Sequence, residues 1–144
     1  AVGRAVSALA DTARPRVLLT GYVDDDDRAA LFDGAAALAY PSIAEGFGLP
    51  VLEAMSLGVP VLTSDRSALP EVAGDAALLV DPEDTAAIAV GLARLLGDAA
   101  LATDLATRGR ARAAGATWSR CADGAQGSSV PTSSTRCSPM PRHA

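Results

Sequence analysis

The stretch "ALAYPSIAEGFGLPVLEAMSLGVPVLTSD", residues 37–65, contains the alternation that decides the fold. Its two ends, ALAYPS and VPVLTSD, are short apolar runs typical of buried strands. Between them, LPVLEAMSLG predicts a helix with Pro50 in its first turn and Gly58 just past its end. A strand, a helix and a second strand in this order predict a parallel βαβ unit.

The same alternation continues on both sides of this unit. Upstream, RVLLTG (16–21) predicts a strand, and DDDDRAALFDGA (24–35) predicts a helix because acidic residues favour the positive end of a helix dipole. Downstream, we expect a helical turn at 67–72, a strand at 76–81, a helix at 83–96 and a last helix to about Ala114. The sequence therefore predicts an α/β, Rossmann-like parallel sheet of four strands with helices on both faces.

Composition excludes several classes of function. The chain has 144 residues and a net charge of -5, and it contains no lysine, which argues against a nucleic-acid-binding surface. No apolar run reaches the roughly 20 residues that cross a bilayer, and the first residues do not resemble a secretion signal, so we expect a cytoplasmic location. Cys121, Cys137 and His143 lack the spacing of metal ligands.

The character of the chain changes at Trp118, which we interpret as an apolar anchor that closes the last helix. Residues 1–118 form one predicted domain, whose first thirteen residues resemble the end of an earlier unit. Residues 119–144 are rich in Ser, Thr, Pro and Gly and show no periodicity, so they predict a disordered tail. A reading-frame shift near Ala125 is an alternative explanation of the same change in composition.

A ligand site is expected in the loop at 41–48. In open parallel sheets, ligands bind beyond the carboxyl ends of the strands, where loops lead into helices. Gly46 and Gly48 permit unusual backbone conformations and a close approach of the ligand. Backbone amides without an acceptor at a helix start favour phosphate. The amides that could point at such a ligand are those of Phe47, Gly48, Leu49 and Val51.

Two acidic residues accompany the glycines of this loop. Glu45 precedes the glycines, and Glu53 follows one turn into the helix. Because carboxylates repel phosphate, both are better suited to accept hydrogen bonds from neutral hydroxyls. A ligand with sugar hydroxyls, a diphosphate and a ribose diol fits all of these features, which describes a nucleotide sugar. A loop acid, a solvated helix glutamate and turn-forming glycines are the structural alternative.

EGFGLPVLEA (45–54) resembles the E-x7-E signature of family 4 retaining glycosyltransferases with the GT-B fold. The flanking segments GYVDDDDRAALFDGAAALAYPS and GVPVLTSDRSALPEVAGDAALLVDPED agree with it, so the resemblance runs from about Val17 to Trp118. It implies that Glu45 meets the hydroxyls of the donor sugar as the catalytic residue and that Glu53 holds the ribose diol. It further implies that the backbone from Gly46 and Phe47 to Val51 meets the sugar and diphosphate, and that the backbone of Val23 meets the base.

The resemblance also implies the role of the whole chain. The chain would be the C-terminal, donor-binding half of an enzyme that moves a hexose from a nucleotide-diphosphate sugar to a hydroxyl acceptor, without a cofactor or an essential metal. The acceptor domain, and the Arg and Lys that stabilise the leaving diphosphate, would lie upstream of Ala1. Arg28 and Arg66 match neither position. We therefore predict little or no transfer by this chain alone, and the resemblance leaves peripheral membrane association of the full enzyme open.

Other functions remain as alternatives at this point. A non-catalytic nucleotide-sugar-binding module and an inactive truncated gene product are both compatible with the sequence. A dinucleotide-dependent oxidoreductase is disfavoured, because no G-x-G-x-x-G follows the first predicted strand. The acidic run Asp24–Asp27 is also compatible with a metal site, although the helix dipole explains consecutive acids at that place.

Overall fold

Three parallel strands and the helices between them form the fold in the computed structural model, which describes residues 2–123, with side chains described for 5–116. The elements follow in chain order: α1 (Val2–Ser7), a 3-10 helix (Arg14–Arg16), α2 (Asp25–Asp33), β1 (Leu38–Tyr40), α3 (Leu49–Leu57), β2 (Val61–Ser64), α4 (Leu69–Ala73), β3 (Ala77–Val80), α5 (Thr85–Gly97) and α6 (Ala99–Asp123). Strands and helices therefore alternate from β1 to α5, as the sequence predicts.

The sheet has the order β1-β2-β3, so that the strands lie side by side in sequence order. Leu38 of β1 lies opposite Val61 of β2, and Val61 lies opposite Ala77 of β3. All four residues of the central strand β2 are buried. A parallel strand is buried in this way when helices cover both faces of its sheet.

Alternate residues of β2 pack into two separate clusters of apolar side chains. Val61 packs with residues of α3, α4 and α6, including the fully buried Met55 and Leu69. Leu62 faces the other side and packs with Leu95 of α5 and Leu105 of α6. Helices therefore cover both faces of the sheet, as predicted.

Local sequence signals fix the helix ends. The side chain of Asp24 accepts a hydrogen bond from the amide of Asp27 at 2.9 Å and so caps α2, and Asp84 caps α5 through the amide of Ala87. Gly58 ends α3 in the left-handed conformation, with φ of 75°. The acidic run before α2 and the glycine after α3 thus do what the sequence predicts.

The strand predicted for RVLLTG (16–21) is wrong. Arg14–Arg16 form a 3-10 helix, and residues 17–21 form no strand. Leu18 and Leu19 are 82% and 58% exposed. A strand needs a hydrogen-bonding neighbour, and within the described part of the chain β1 pairs only with β2. RVLLTG forms no ladder with the open edge of β1, so the described sheet has three strands instead of four.

The last helix is longer than predicted, since α6 continues past Ala114 to Asp123. The predictions made for the side chains of Trp118, Cys121, Cys137 and His143 lie outside the residues whose side chains are described, and most of the predicted tail lies beyond 123. Among the described residues no single helix is long and apolar enough to cross a membrane. Helix α5 and Ala99–Ala116 of α6 pass that test of length and composition only as a pair, which is bent by 96°.

Candidate functional site

The loop between β1 and α3, residues 41–48, is the centre of the candidate site and is called the β1–α3 loop below. It leaves the carboxyl end of β1, beside the loop that follows β2 (65–68), which is called the β2–α4 loop. Adjacent strands of a parallel sheet end at the same edge, so their loops meet there. In this structure they do meet, since the hydroxyl of Ser67 contacts the backbone of Glu45.

The Glu45 carboxylate is held by a residue that the sequence analysis did not identify. The hydroxyl of Tyr40, the last residue of β1, donates a hydrogen bond to Oε2 of Glu45. The carbonyl oxygen of Tyr40 in turn accepts a hydrogen bond from the buried Thr63 hydroxyl at 2.9 Å, which fixes the end of the strand. Glu45 is half-buried, so its orientation is set by the sheet and not by solvent.

This contact also reinforces the neutral form of Tyr40. The hydrogen bond to Glu45 raises the pKa of Tyr40 above its ordinary value, and burial and the negative charge of Glu45 raise it further. The folded chain thus favours the neutral phenol. The contribution of this contact to the stability of the fold is complete below the ordinary pKa of about 10, and it is lost only as the pH rises through the higher pKa of the folded chain. At neutral pH, Tyr40 is therefore a constant donor to Glu45.

The two glycines of the loop occupy different environments. Gly48 is buried with φ of +71°, and a Cβ at this position would lie 2.8 Å from Cδ2 of Leu69. Gly46 has no positive φ, and a Cβ there would meet nothing within 4 Å. Gly48 is required by the backbone and by packing against α4. Gly46 leaves open space beside the loop, which is what a close approach of a ligand needs.

Helix α3 begins directly after Gly48, and no side chain caps it. The first amides of a helix lack intrahelical acceptors, which is the property that favours an anion at this end. Val51 differs from the prediction, because its amide donates to the carbonyl of Gly48 at 3.0 Å and its side chain is fully buried. Phe47 and Leu49 lie at the surface, with exposed fractions of 36% and 58%.

Glu53 is not an ordinary solvated glutamate. Its Oε1 accepts a hydrogen bond from Nε of Arg28 at 3.1 Å, and Arg28 also pairs with Asp25 at 3.1 Å. The contact raises the pKa of Arg28, chiefly through the hydrogen bond and then through the charge of Glu53. The Glu53 side chain is 32% exposed, so it is tied to α2 while it remains accessible to a ligand.

The structure places most predicted site residues together and one apart. Glu45, the glycines and Glu53 lie on a single loop and the first turns of α3. Val23 lies outside this loop, in the segment before α2, and is half-buried. The same segment runs into the helix that carries Arg28, so the pair of Arg28 and Glu53 connects it to α3.

A cavity of about 590 Å³, called the α4–α6 cavity, opens beside the loop. It shares Gly46 and Phe47 with the candidate site but includes neither Glu45 nor Glu53, and its other lining residues are Leu52, Ala68, Glu71, Val72, Ala111, Arg112, Gly115 and Ala116. Arg112 donates to the backbone oxygens of Val72, at 2.9 Å, and Glu71, so its guanidinium caps the end of α4. The chemistry of the candidate site therefore lies at the edge of this cavity and not inside it.

Sequence reasoning missed three side chains that shape the site: Tyr40, Ser67 and Arg28. The strand pattern of ALAYPS accounts for Tyr40 as an apolar residue, and its hydroxyl is the one local signal of a further role. Nothing local marks Ser67 or Arg28, because their partners lie 22 and 25 residues away. The acidic run behaves as a helix cap, and among residues with described side chains no group of three or more His, Cys, Asp or Glu is arranged to hold a metal ion.

Comparison with known proteins gives consistent matches. A family profile described as "Glycosyl transferases group 1" matches residues 2–98. The chain is 46% identical over 101 residues to the O-antigen chain mannosyltransferase B of Escherichia coli. The aligned region covers 70% of this chain and 26% of that protein. It is 36% identical over 109 residues to the serotype-specific mannosyltransferase WbdA of Escherichia coli, covering 76% of this chain and 13% of that protein.

A solved structure gives the same result for the fold. The sucrose-phosphate synthase of Thermosynechococcus elongatus matches with a TM-score of 0.66 and 30% sequence identity, over 78% of this chain and 31% of that protein. This likeness to a GT-B glycosyltransferase, together with the parallel sheet, confirms the predicted α/β fold class. The chain spans about a quarter of the length of mannosyltransferase B.

Proposed function

Because the chain belongs to the family of glycosyl transferases group 1, we propose that its β1–α3 loop binds the nucleotide-diphosphate sugar from which a retaining glycosyltransferase moves a hexose to a hydroxyl acceptor. Mannose is the first hexose to consider, since two relatives carry the name mannosyltransferase. The proposal keeps the acceptor domain as a separate, N-terminal part of the full enzyme. It also keeps the cytoplasmic location, on the grounds of composition given above.

One observation carries this proposal: two braced carboxylates, one in the β1–α3 loop and one a turn into α3, lie before and after the uncapped start of that helix. Glu45 is held by Tyr40, and Glu53 is held by Arg28 through one oxygen only. Carboxylates fixed in this way accept hydrogen bonds from hydroxyls without a further loss of side-chain freedom. A sugar at Glu45 and a ribose diol at Glu53 leave the diphosphate beside the first amides of α3, where the positive end of the helix dipole favours it.

The reaction then makes clear demands on this half of the enzyme. The bond from the anomeric carbon to the diphosphate breaks, and a bond from the acceptor oxygen forms on the same face of the sugar. The acceptor proton passes to an oxygen of the departing diphosphate. Negative charge grows on the leaving group in this step, and the start of α3 stabilises part of it.

Among the residues with described side chains, the arginines around the loop already have partners. Arg112, which lines the cavity beside Gly46 and Phe47, donates to the backbone of Val72 and Glu71. Arg28 is paired with Glu53 and Asp25, and Arg66 is paired with Asp81 and Glu83. Residues from the rest of the full enzyme must therefore complete the stabilisation of the diphosphate. Accordingly, we expect this chain to bind the donor but not to transfer its sugar.

Titration calorimetry of the 144-residue chain tests the proposal. We expect saturable one-to-one binding of GDP-mannose or UDP-glucose, displacement by the matching nucleoside diphosphate, and no release of free sugar during the titration. ATP and free mannose serve as controls, because neither combines a diphosphate with both sets of hydroxyls. If neither nucleotide sugar gives saturable heat, the donor-binding proposal is wrong. If sugar is released at an enzymatic rate, the expectation of inactivity is wrong.

A further inference from the structure

The hydroxyl of Ser67 connects the β2–α4 loop to the β1–α3 loop. It donates to the backbone oxygen of Glu45 at 2.7 Å and accepts from the backbone amide of the same residue at 3.3 Å. One hydroxyl therefore pairs with both the backbone N–H and the backbone C=O of Glu45. In a sheet, a neighbouring strand pairs with these groups. The contact spans 22 residues of sequence and fixes the backbone that carries the Glu45 carboxylate.

Ser67 holds this place in an unfavourable conformation. Its φ is 59°, and among the described residues it is the one non-glycine residue with positive φ. Residues with a Cβ disfavour this region, whereas glycine adopts it without steric cost. Glycine would relieve the strain but would supply no hydroxyl. Backbone strain of this kind is found where a side chain has a specific task, and here the task is the contact with Glu45.

The residues on either side of Ser67 are firmly anchored. The amide of Arg66 donates to the buried Ser64 hydroxyl at 3.0 Å, and its guanidinium pairs with Asp81 at 2.8 Å and with Glu83. On the other side, Leu69 is fully buried and lies where a Cβ on Gly48 would meet it. The β2–α4 loop is therefore a fixed support against which the β1–α3 loop rests.

We propose that Ser67 is a positioning residue that holds the backbone of Glu45 at the donor sugar, while Tyr40 holds the carboxylate. The inference rests on the proposed function of the β1–α3 loop. It goes further by making recognition of the sugar, as distinct from the nucleoside, depend on the contact of the Ser67 hydroxyl with Glu45. Removal of the hydroxyl then weakens recognition of the sugar and leaves recognition of the nucleoside diphosphate by Glu53 and α3 unchanged.

Two variants separate the hydroxyl from the backbone strain. S67G removes the hydroxyl and relieves the strain, so we expect a melting temperature above that of S67A. S67A removes the hydroxyl and keeps the strain, so we expect a lower melting temperature. Despite this difference in stability, both variants should bind GDP-mannose or UDP-glucose about five- to tenfold more weakly. Binding of GDP or UDP should stay within about twofold, because Glu53 is independent of this contact.

A second measurement does not depend on any ligand. In S67G, hydrogen exchange of the Glu45 amide should accelerate about tenfold, because its acceptor is lost, while the core amides of α3 keep their protection. Unchanged exchange at Glu45 would overturn the role of Ser67 even if the chain binds nucleotide sugars. Equal weakening of nucleotide sugar and nucleoside diphosphate would also overturn it, since that result indicates a general structural role. A parent chain that binds neither probe overturns the proposed function instead, and with it the assignment of the sugar.

Discussion

Replacement of Gly48 by alanine is expected to lower the free energy of unfolding by about 2–4 kcal/mol. Gly48 has φ of +71°, where a Cβ is strained, and the new methyl carbon would lie 2.8 Å from Cδ2 of Leu69. Leu69 is fully buried in the cluster between the sheet, α3 and α4, so it has little room to move. Strain and overpacking therefore act together at this position.

Urea unfolding followed by circular dichroism measures this effect, and G46A is the matched control. Both changes add one methyl group to the same loop. A Cβ at Gly46 meets nothing within 4 Å, so we expect G46A to change the stability by less than about 0.5 kcal/mol. Equal stability of the two variants would contradict the left-handed, packed conformation of Gly48. It would also remove the reason for the sharp entry of the chain into α3.

The largest effect on binding is expected for E53Q. We expect the affinity for both the nucleotide sugar and the nucleoside diphosphate to fall about 10- to 100-fold, because hydrogen bonds to a charged acceptor each contribute about 1.5–3 kcal/mol. The glutamine amide keeps the shape of the Glu53 side chain. It removes the negative charge that strengthens the hydrogen bonds from the ribose diol and from Arg28. Since the pair with Arg28 is partly exposed, we expect its loss to change the stability by less than about 1 kcal/mol.

Calorimetric titrations of E53Q and E71Q with the same ligands distinguish two locations for the donor. Glu71 is an exposed glutamate of α4 that lines the α4–α6 cavity, and the proposed site does not use its side chain. We therefore expect E71Q to bind as the parent chain does. A loss of affinity in E71Q with normal binding by E53Q would place the nucleotide in the α4–α6 cavity and would contradict the role proposed for Glu53.

Much of the fold could be predicted because its signals are local. The order of helix and strand from 24 to 96, the cap at Asp24 and the helix end at Gly58 all follow from residues close together in sequence. The failed strand at RVLLTG shows the limit of such signals. Apolar composition indicates that a segment can join a sheet, but it does not determine whether the segment pairs with an available strand edge. Within the described residues, the edge of β1 opposite β2 has no strand partner.

The candidate site could be predicted in outline but not in its supports. Glu45, the glycines and Glu53 form a recognisable pattern because they lie within nine residues of one another on a single loop and helix. Their orientation depends on Ser67 and Arg28, whose contacts cross 22 and 25 residues, and on a hydroxyl at the end of β1. The Ser67 contact arises because parallel strands bring separate loops to one edge of the sheet, and the Arg28 contact arises because α2 packs beside α3. No local sequence pattern predicts these contacts.

The most direct test of the proposed donor site is an amide chemical-shift titration of the 144-residue chain with GDP-mannose and UDP-glucose. If the β1–α3 loop binds the donor, the largest shifts will lie at Gly46 to Leu49 and near Glu53, and they will saturate together. With GDP or UDP, which lack the sugar, the amides near Glu45 will shift less than with the nucleotide sugar. Saturating shifts confined to Glu71, Arg112 and their neighbours around the α4–α6 cavity, with none in the loop, would contradict the account.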